Sequence, residues 1–429
     1  MRVAARYIVS FCILVGSLAA GIVYLLLSSP GPVRWENHAY VWQMRWNDEV
    51  SAAIDRASPL LDGFMLLYGE VDYDGRESHF SRAYPASKAG GKPVTMVLRV
   101  NARFSRALAS DAGGAAREYL AALATSCLES TNTQMPGPGM QIDYDCPTGA
   151  LQDYAILIRA IRERFPQTVL SVTALPDWLD SGDFAGIVSN VDYFVLQVHS
   201  LERPTTFDAP YNLCDAEKAR SAVRHAERFG RRFYIALPTY TYRLVFDDSG
   251  RFRHIGAERS SELTFAKGRV RDVAADPVKT AELVREWRAN PPRNCAGLAW
   301  FRLPVDSDRF NLRWPAFEKV VRGEAPKCAV TAEMRRPDSG LYELWLANAG
   351  DYRSPKSVAC TILWKADAIL AYDVIGGYKV QPNQGKDRIA LHGPAPREDA
   401  QPVLVAWFRV KPECSDSREV VQCGAVSVQ

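Results

Sequence analysis

Eight short apolar runs rich in β-forming residues, separated by stretches with helical periodicity, are the strongest indication of how this 429-residue chain folds. The runs are centred near Tyr40, Leu66, Met96, Ile142, Val172, Val195, Ile235 and Trp300. Alternating strands and helices build parallel sheets, because each helix returns the chain to the edge where the next strand begins. Eight such units predict a closed α/β fold, a (β/α)8 TIM-type barrel. No glycine-rich phosphate loop follows the first run, which argues against a dinucleotide fold.

Helical patterns fill the intervals between these runs. We predict helices over residues 48–57, 115–129, 151–164, 183–188, 215–229 and 278–289. Asn47 precedes the first of them as a candidate N-cap.

The pattern changes after Arg322, where the stretch GEAPK indicates a linker. Segments such as LYELWLANAG, SVACTILW and PVLVAWFRV follow without intervening helices, and Asn, Gly, Asp and Pro turns separate them. This favours a small C-terminal all-β sandwich-like domain. The predicted organisation is an N-terminal membrane anchor or signal segment at 1–30, the barrel at 37–322 and the β domain at 327–429.

The N-terminus indicates export. Two arginines precede an uncharged apolar stretch over residues 7–27, which is long enough for a helix to cross a bilayer. We predict an inner-membrane anchor with the body of the protein in the periplasm or another extracytoplasmic space. A cleaved signal peptide, which would leave a secreted protein, is the alternative, because small residues occur near Ala20. The formal net charge of +3 gives no reason to expect a nucleic-acid partner.

Eight cysteines follow the apolar segment, four in each predicted domain. Because these even numbers allow disulfide pairing, they are compatible with an oxidising compartment. Cys146 and Cys214 both follow predicted barrel strands and would lie at the same end of the barrel. We therefore predict that these two can pair.

Two carboxylates mark the candidate site. Active groups of TIM barrels lie at the C-terminal ends of the strands, and Asp143 and Asp145 end the fourth run. Alternate strand residues share a face, so both would point to the barrel axis if Tyr144 faces the helices. Repulsion between them would raise one pKa and keep that acid protonated. The structural alternative is a salt-bridge network with Arg99, Arg302 or a lysine.

Other strand ends add polar and aromatic side chains of the kind that bind sugars. Glu70 is a third candidate catalytic acid, and the candidate substrate-binding residues are Trp42, Tyr68, Arg99, Asp177, Gln197, His199, Tyr240, Tyr242, Trp300 and Arg302. Asp143, Asp145 and His199 could also form a metal site, but the six histidines form no HExxH or paired-His motif. We predict no metal and no cofactor.

The motifs QIDYDCP, LQVHS, ALPTYTY and GLAWFRLP resemble those of the chitinase-like (family eighteen) glycosidases. They resemble more closely a bacterial family of unknown function with a glycosidase-like barrel. In the chitinase-like pattern, Asp-x-Asp-x-Glu ends strand four, and its glutamate protonates the leaving sugar. The resemblance assigns Asp145 the role of the assisting aspartate, whereas Pro147 occupies the glutamate position.

Proline cannot donate a proton, so two functions stay open. The first is a glycoside hydrolase acting on an exported or cell-envelope polysaccharide, with Glu70, Asp143 or Asp177 as the acid. The second is a non-catalytic protein that binds or assembles a polysaccharide or oligosaccharide on the same barrel.

The membrane anchor is directly testable. We expect the apolar segment over residues 7–27 to stay attached, because it is unbroken and has a basic flank. Intact-mass analysis of the membrane-extracted protein should give the mass of the whole chain. A mature chain beginning near Gly21 or Ser28 would show a cleaved signal instead.

Overall fold

A computed structural model describes residues 34–73, 76–83, 89–109, 113–132, 139–200, 202–257, 268–354, 357–381, 385–398, 401–415 and 420–428. The predicted membrane segment at 1–30 lies outside these residues. Within them, no helix is both long and apolar enough to cross a membrane.

Eight parallel strands form a closed barrel. The strands of this part of the chain are β1 (Glu36–Val41), β2 (Gly63–Tyr73), β3 (Ser78–Arg82), β4 (Val94–Val100), β5 (Gly139–Tyr144), β6 (Leu170–Ala174), β7 (Tyr193–Gln197), β8 (Arg232–Pro238), β9 (Thr241–Phe246), β10 (Phe252–Gly256), β11 (Arg269–Ala274) and β12 (Cys295–Phe301). The barrel order is β1-β2-β4-β5-β6-β7-β8-β12, and β12 pairs with β1 to close it. Each of the eight apolar runs supplies one barrel strand, so the predicted TIM-type barrel is confirmed.

Helices follow most of the barrel strands and cover the outside of the sheet. They are α1 (Asp48–Ala57), α2 (Phe104–Ala109), α3 (Gly113–Asn132), α4 (Leu151–Arg164), α5 (Phe184–Val188), α6 (Ala216–Ala226), α7 (Pro277–Ala289) and α8 (Trp314–Arg322). Asn47 caps α1 by accepting the backbone N–H of Val50. The predicted helix over 215–229 is shorter, because Asp215 is its cap and a 3-10 turn ended by Gly230, with φ 62°, completes it.

Several elements of the structure were not predicted. Helices α2 and α8 were not predicted, and β3 forms a hairpin with the end of β2. Between β8 and α7, the chain forms a three-stranded antiparallel sheet in the order β10-β9-β11. Within the motif ALPTYTY, β8 ends at Pro238 and β9 begins at Thr241 as part of this separate sheet.

Barrel side chains alternate between two hydrophobic layers. On β2, Phe64 and Leu66 belong to the core between strands and helices, whereas Met65 and Leu67 belong to the core inside the barrel. This alternation decides which residues reach the mouth of the barrel, the end where the parallel strands finish.

The C-terminal part is entirely β. Its strands are β13 (Val330–Asp338), β14 (Leu341–Asn348), β15 (Ser357–Trp364), β16 (Ile369–Val374), β17 (Lys379–Val380), β18 (Arg388–Pro394), β19 (Val403–Val410) and β20 (Val421–Val428). They form two four-stranded antiparallel sheets, ordered β13-β14-β19-β16 and β17-β18-β15-β20. Side chains such as Leu344, Ile362 and Phe408 form a separate core, as expected for a sandwich-like domain.

The predicted pairing of Cys146 with Cys214 is wrong for this structure, in which all eight described cysteines are free thiols. The thiols of Cys146 and Cys214 each form a hydrogen bond with a backbone carbonyl near their own strand. The Cys146 Sγ donates to the carbonyl of Pro147, and the Cys214 Sγ donates to the carbonyl of Val198, both at 3.5 Å.

Gly297 permits the first and last barrel strands to meet. It pairs with Glu36 and has φ 145°, and a Cβ there would collide with the Glu36 backbone oxygen. We expect Gly297→Ala to destabilise the protein by about 3 kcal/mol or more, measured by urea unfolding. Gly149→Ala is the matched control, because a Cβ there has no heavy atom within 4 Å. Equal stability of the two variants would contradict this role of Gly297.

Candidate functional site

An ion pair forms the floor of the barrel mouth. Asp143 on β5 faces the interior and is only 8% exposed, while the adjacent Tyr144 belongs to the helix-facing core. The Arg99 Nη1 on β4 lies 3.3 Å from the Asp143 Oδ2, and the Thr173 hydroxyl on β6 donates to the Oδ1 at 2.7 Å. Three neighbouring strands thus fix this one carboxylate, which accepts from Arg99 and Thr173 at its two oxygens.

Glu70 is aligned with this pair by an irregularity in β2. The register with β4 shifts between Leu67 and Gly69, so that Glu70 pairs with Arg99. Arg99 in turn pairs with Asp143. A β-bulge re-aims the side chains that follow it, and without the extra residue Glu70 would face the helices. Glu70, Arg99 and Asp143 therefore form one row across three strands.

Asp145 lies just beyond the end of β5. The Cys146 N–H donates to the Tyr144 carbonyl at 2.7 Å, so a tight turn is centred on Asp145. Its side chain is exposed to the solvent of the mouth, although protein surrounds it on the remaining sides. Loss of hydration, followed by the negative charge of Asp143, raises the pKa of Asp145 to about 6, and Arg99 acts in the opposite direction. This is a carboxyl group that holds its proton at mildly acidic pH.

A continuous arc of rings forms the opposite wall. Trp42 contacts Phe301 with 5.0 Å between ring centroids, Phe301 stacks on His199 at 5.9 Å, and His199 meets Tyr240 at 5.6 Å. Tyr240 contacts Tyr242 at 4.9 Å. The arc also meets the floor, because the Arg99 guanidinium lies 5.5 Å from the centre of the Trp42 ring.

His199 is the buried polar member of this arc. Burial lowers its pKa to about 3, so the ring is neutral at physiological pH. Its Nδ1 lies 3.2 Å from the Tyr240 hydroxyl, its Nε2 has no partner among the described residues, and Gln197 donates to its backbone carbonyl at 3.3 Å. The Ser200 hydroxyl lies 2.6 Å from that of Tyr242 and extends the polar edge of the wall.

Three predicted site residues lie away from the mouth, and a fourth, Asp177, follows the end of β6. Tyr68 and Trp300 belong to the helix-facing core, and the Trp300 Nε1 donates to Asn37 at 3.3 Å. Arg302 is 4% exposed and its Nη2 is 2.5 Å from Asp308, so its charge serves a structural ion pair. Asp177 is exposed on the 3-10 turn after β6. Trp300 and Arg302 were predicted to bind substrate, but Phe301, which lies between them, takes the inward position.

Thr173 and Phe301 are mouth residues that the sequence analysis missed. Both lie at inward positions of barrel strands, so strict alternation along β6 and β12 would have indicated them. In the part of the chain that the structure describes, no group of three His, Cys, Asp or Glu side chains could hold a metal ion.

A protein-family model, described as a domain of unknown function (DUF3142), matches residues 90–306, just over half of the 429 residues. The chain belongs to the DUF3142 family. No sequence match was found among curated proteins.

Solved structures resemble this DUF3142 chain in fold. The spore cortex-lytic enzyme SleL of Bacillus megaterium QM B1551 has a TM-score of 0.48 and 13% identity, over 69% of this chain and 75% of its own. A chitinase from Chromobacterium violaceum ATCC 12472 has a TM-score of 0.46 and 12% identity, over 67% and 98%. A Cycas revoluta chitinase in complex with (GlcNAc)4 has a TM-score of 0.43 and 11% identity, over 67% and 98%. At these values the similarities carry no argument about activity.

The pKa of Asp145 should respond in opposite directions to its two charged neighbours. Asp143→Asn removes a negative charge and should lower that pKa from about 6, whereas Arg99→Gln should raise it. Carboxyl-carbon NMR titration measures both changes. Asp55→Asn, an exposed substitution on helix α1, is the control and should leave the pKa of Asp145 unchanged. If neither variant shifts the Asp145 titration, the proposed coupling is wrong.

Proposed function

We propose that this chain is a glycoside hydrolase-like protein that cleaves a polysaccharide at the barrel mouth. One observation carries the proposal: a solvent-open carboxyl, Asp145, whose pKa is raised to about 6, lies beside Asp143, a carboxylate paired with Arg99. Glycosidases require an acid that protonates the leaving oxygen and a second group that stabilises positive charge on the sugar. Unequal environments assign Asp145 to the first task and Asp143 to the second.

This assignment bypasses Pro147. The resemblance to chitinase-like enzymes places the acid at position 147, where proline has no proton to give. Asp145 precedes it by two residues, at the apex of the turn that leaves β5. Glu70 lies in the same row as Arg99 and Asp143 and is the second candidate acid.

The wall opposite the carboxylates is suited to a sugar ring. Phe301 and Tyr242 are partly exposed and offer apolar faces, and Gln197 adds an amide. Neutral His199 supports Phe301 from behind. Trp42, 7% exposed, is more deeply placed and positions Arg99 rather than a substrate.

We further propose that the body of the protein acts outside the cytoplasm on an exported or cell-envelope polysaccharide. The apolar segment over residues 7–27 and its basic flank support this location. The free thiols of the eight described cysteines lend it no support.

A non-catalytic polysaccharide-binding protein is the second candidate. The proline at position 147 and the pairing of Asp143 with Arg99 favour it, because together they leave fewer free acids than hydrolysis ordinarily uses. In that case Asp145 would contact sugar hydroxyls without transferring a proton.

Replacing Asp145 separates these functions. Asp145→Asn removes the transferable proton and should lower turnover roughly a hundredfold or more in a reducing-sugar assay on a polysaccharide panel. Turnover of the parent should fall as the pH rises above about 6, where Asp145 ionises. Because folding raises the pKa of Asp145, its ionisation opposes folding, so the variant should melt no lower than the parent at pH 7.

Asp55→Asn is the matched control, since this exposed aspartate lies on helix α1, outside the barrel. A folded Asp145→Asn protein with full turnover would refute the assignment of Asp145. A parent that binds a polysaccharide and never cleaves it would favour the binding function.

A further inference from the structure

A cavity of about 1180 Å³ lies beside the barrel mouth, between the β9-β10-β11 sheet and the C-terminal β part. We name it the junction cleft. Its barrel side includes Thr241, Arg243 and Arg271, and its C-terminal side includes Arg353 and Lys379. Small-molecule sites usually measure about 300–1,000 Å³, so this cleft has room for several units of an oligomer.

The junction cleft is strongly cationic. Seven arginine and lysine side chains line it against three carboxylates. Over the whole chain, 52 basic residues face 49 acidic ones, so this one cavity has a larger excess of positive charge than the entire protein. Such a local concentration of one sign attracts ligands of the opposite sign.

Two of the three carboxylates are already engaged. Asp272 is held by Arg243 through two contacts of 2.8 Å. Asp276 caps α7 by accepting the backbone N–H groups of Val278 and Lys279. Of the three carboxylates that line the cleft, only Glu398 is not used in these contacts.

Several cations of the cleft lack a partner. Arg309, Arg353 and Lys379 are exposed, and none of the three forms an ion pair with a residue that the structure describes. Arg271 donates its Nη1 to the carbonyls of Phe207 and Ala209, at 2.6 and 2.9 Å. Its Nε and Nη2 are buried and have no hydrogen-bond partner among the residues that the structure describes.

Unsatisfied buried donors are uncommon in native proteins and call for a ligand or water. The His392 Nδ1, which also belongs to a lining residue, is likewise buried without a partner among the described atoms. Arginine pairs with carboxylates through two parallel hydrogen bonds, and its charge persists at every physiological pH. Carboxylate groups of a ligand would satisfy both the charge and the donors.

The cleft adjoins the mouth. Tyr211 lines the cleft and lies close to Ser200 and Tyr242, which belong to the wall of the mouth. A polymer held in the cleft would therefore pass next to the ring arc. Aromatic stacking platforms, which single-stranded nucleic acids require, are few: the ring of Phe310, for example, is covered by the Arg243 guanidinium at 4.8 Å.

We propose that the junction cleft binds an acidic polysaccharide strand through its carboxylates, so that the polymer presented to the mouth is anionic. The part of this inference that concerns presentation of the polysaccharide to the mouth rests on the proposed function. Binding in the cleft itself is measurable without turnover.

The test uses the full-length protein and a size-fractionated oligogalacturonate as the probe, with binding measured by calorimetry. We expect binding that weakens as salt rises and disappears with the fully methyl-esterified oligomer, which has the same backbone without charge. Arg353→Gln combined with Lys379→Gln should weaken binding at least about tenfold, because two charge-assisted contacts are lost.

Arg409→Gln combined with Lys365→Gln is the matched control, since it removes the same two charges from exposed positions outside the cleft. It should change the affinity less than about twofold. Equal losses in the two double variants, absence of binding, or equal binding of the methyl ester would each overturn the proposal. Tighter binding of polyphosphate or single-stranded DNA would overturn the assignment to an acidic polysaccharide.

Asp145→Asn distinguishes failure of this inference from failure of the proposed function. The variant should bind the oligogalacturonate as the parent does, because Asp145 lies outside the cleft. If the parent binds the oligogalacturonate but hydrolyses no substrate, the cleft assignment remains intact and the proposed hydrolase function is refuted. If the parent hydrolyses a neutral polymer but does not bind the acidic oligomer, the hydrolase function is supported and the cleft assignment is refuted.

Discussion

Closure of the eight-stranded barrel governs the rest of this molecule. Once β12 pairs with β1, every strand has one face toward the helices and one toward the barrel axis. Side-chain orientation is then set by position along each strand, and the inward residues at the strand ends converge on a single mouth. Gly297 allows this closure, because only a residue without a Cβ leaves room for the Glu36 backbone.

The mouth combines two carboxylates in unequal surroundings. Asp143 is buried and held by Arg99 and Thr173, whereas Asp145 is open to solvent and receives no comparable hydrogen bonds from the described residues. Lost hydration, followed by repulsion from Asp143, raises the pKa of Asp145 to about 6. On the proposed function, Asp145 supplies the acid and Asp143, two residues earlier, supplies the charge-stabilising group, without the glutamate that the chitinase-like pattern places at position 147.

The β9-β10-β11 sheet forms one side of the junction cleft. It follows β8, at the end of the barrel where the loops are free to vary without disturbing the core. With the C-terminal strands it encloses the junction cleft, in which positive charge collects beside a mouth whose floor is the Arg99–Asp143 ion pair. The two regions would act on different groups of one polymer, its carboxylates and its glycosidic bonds.

Local pattern by itself determined the architecture. The eight barrel strands, the capped helix α1 and the all-β C-terminal part follow from periodicity and turn residues, which depend on nearby sequence. Asp143 and Asp145 were found in the same way, from their place at the end of a strand.

Tertiary structure decided what depends on register and on distant partners. A bulge in β2 aimed Glu70 at Arg99, and β12 turned Phe301 inward and Trp300 outward. Arg302 forms an ion pair with Asp308, and the thiols of Cys146 and Cys214 donate hydrogen bonds to carbonyls near their own strands. A one-residue shift reverses the face of every side chain after it. Strand periodicity does not encode such a shift, and neither does it reveal a cleft formed by segments far apart in the chain.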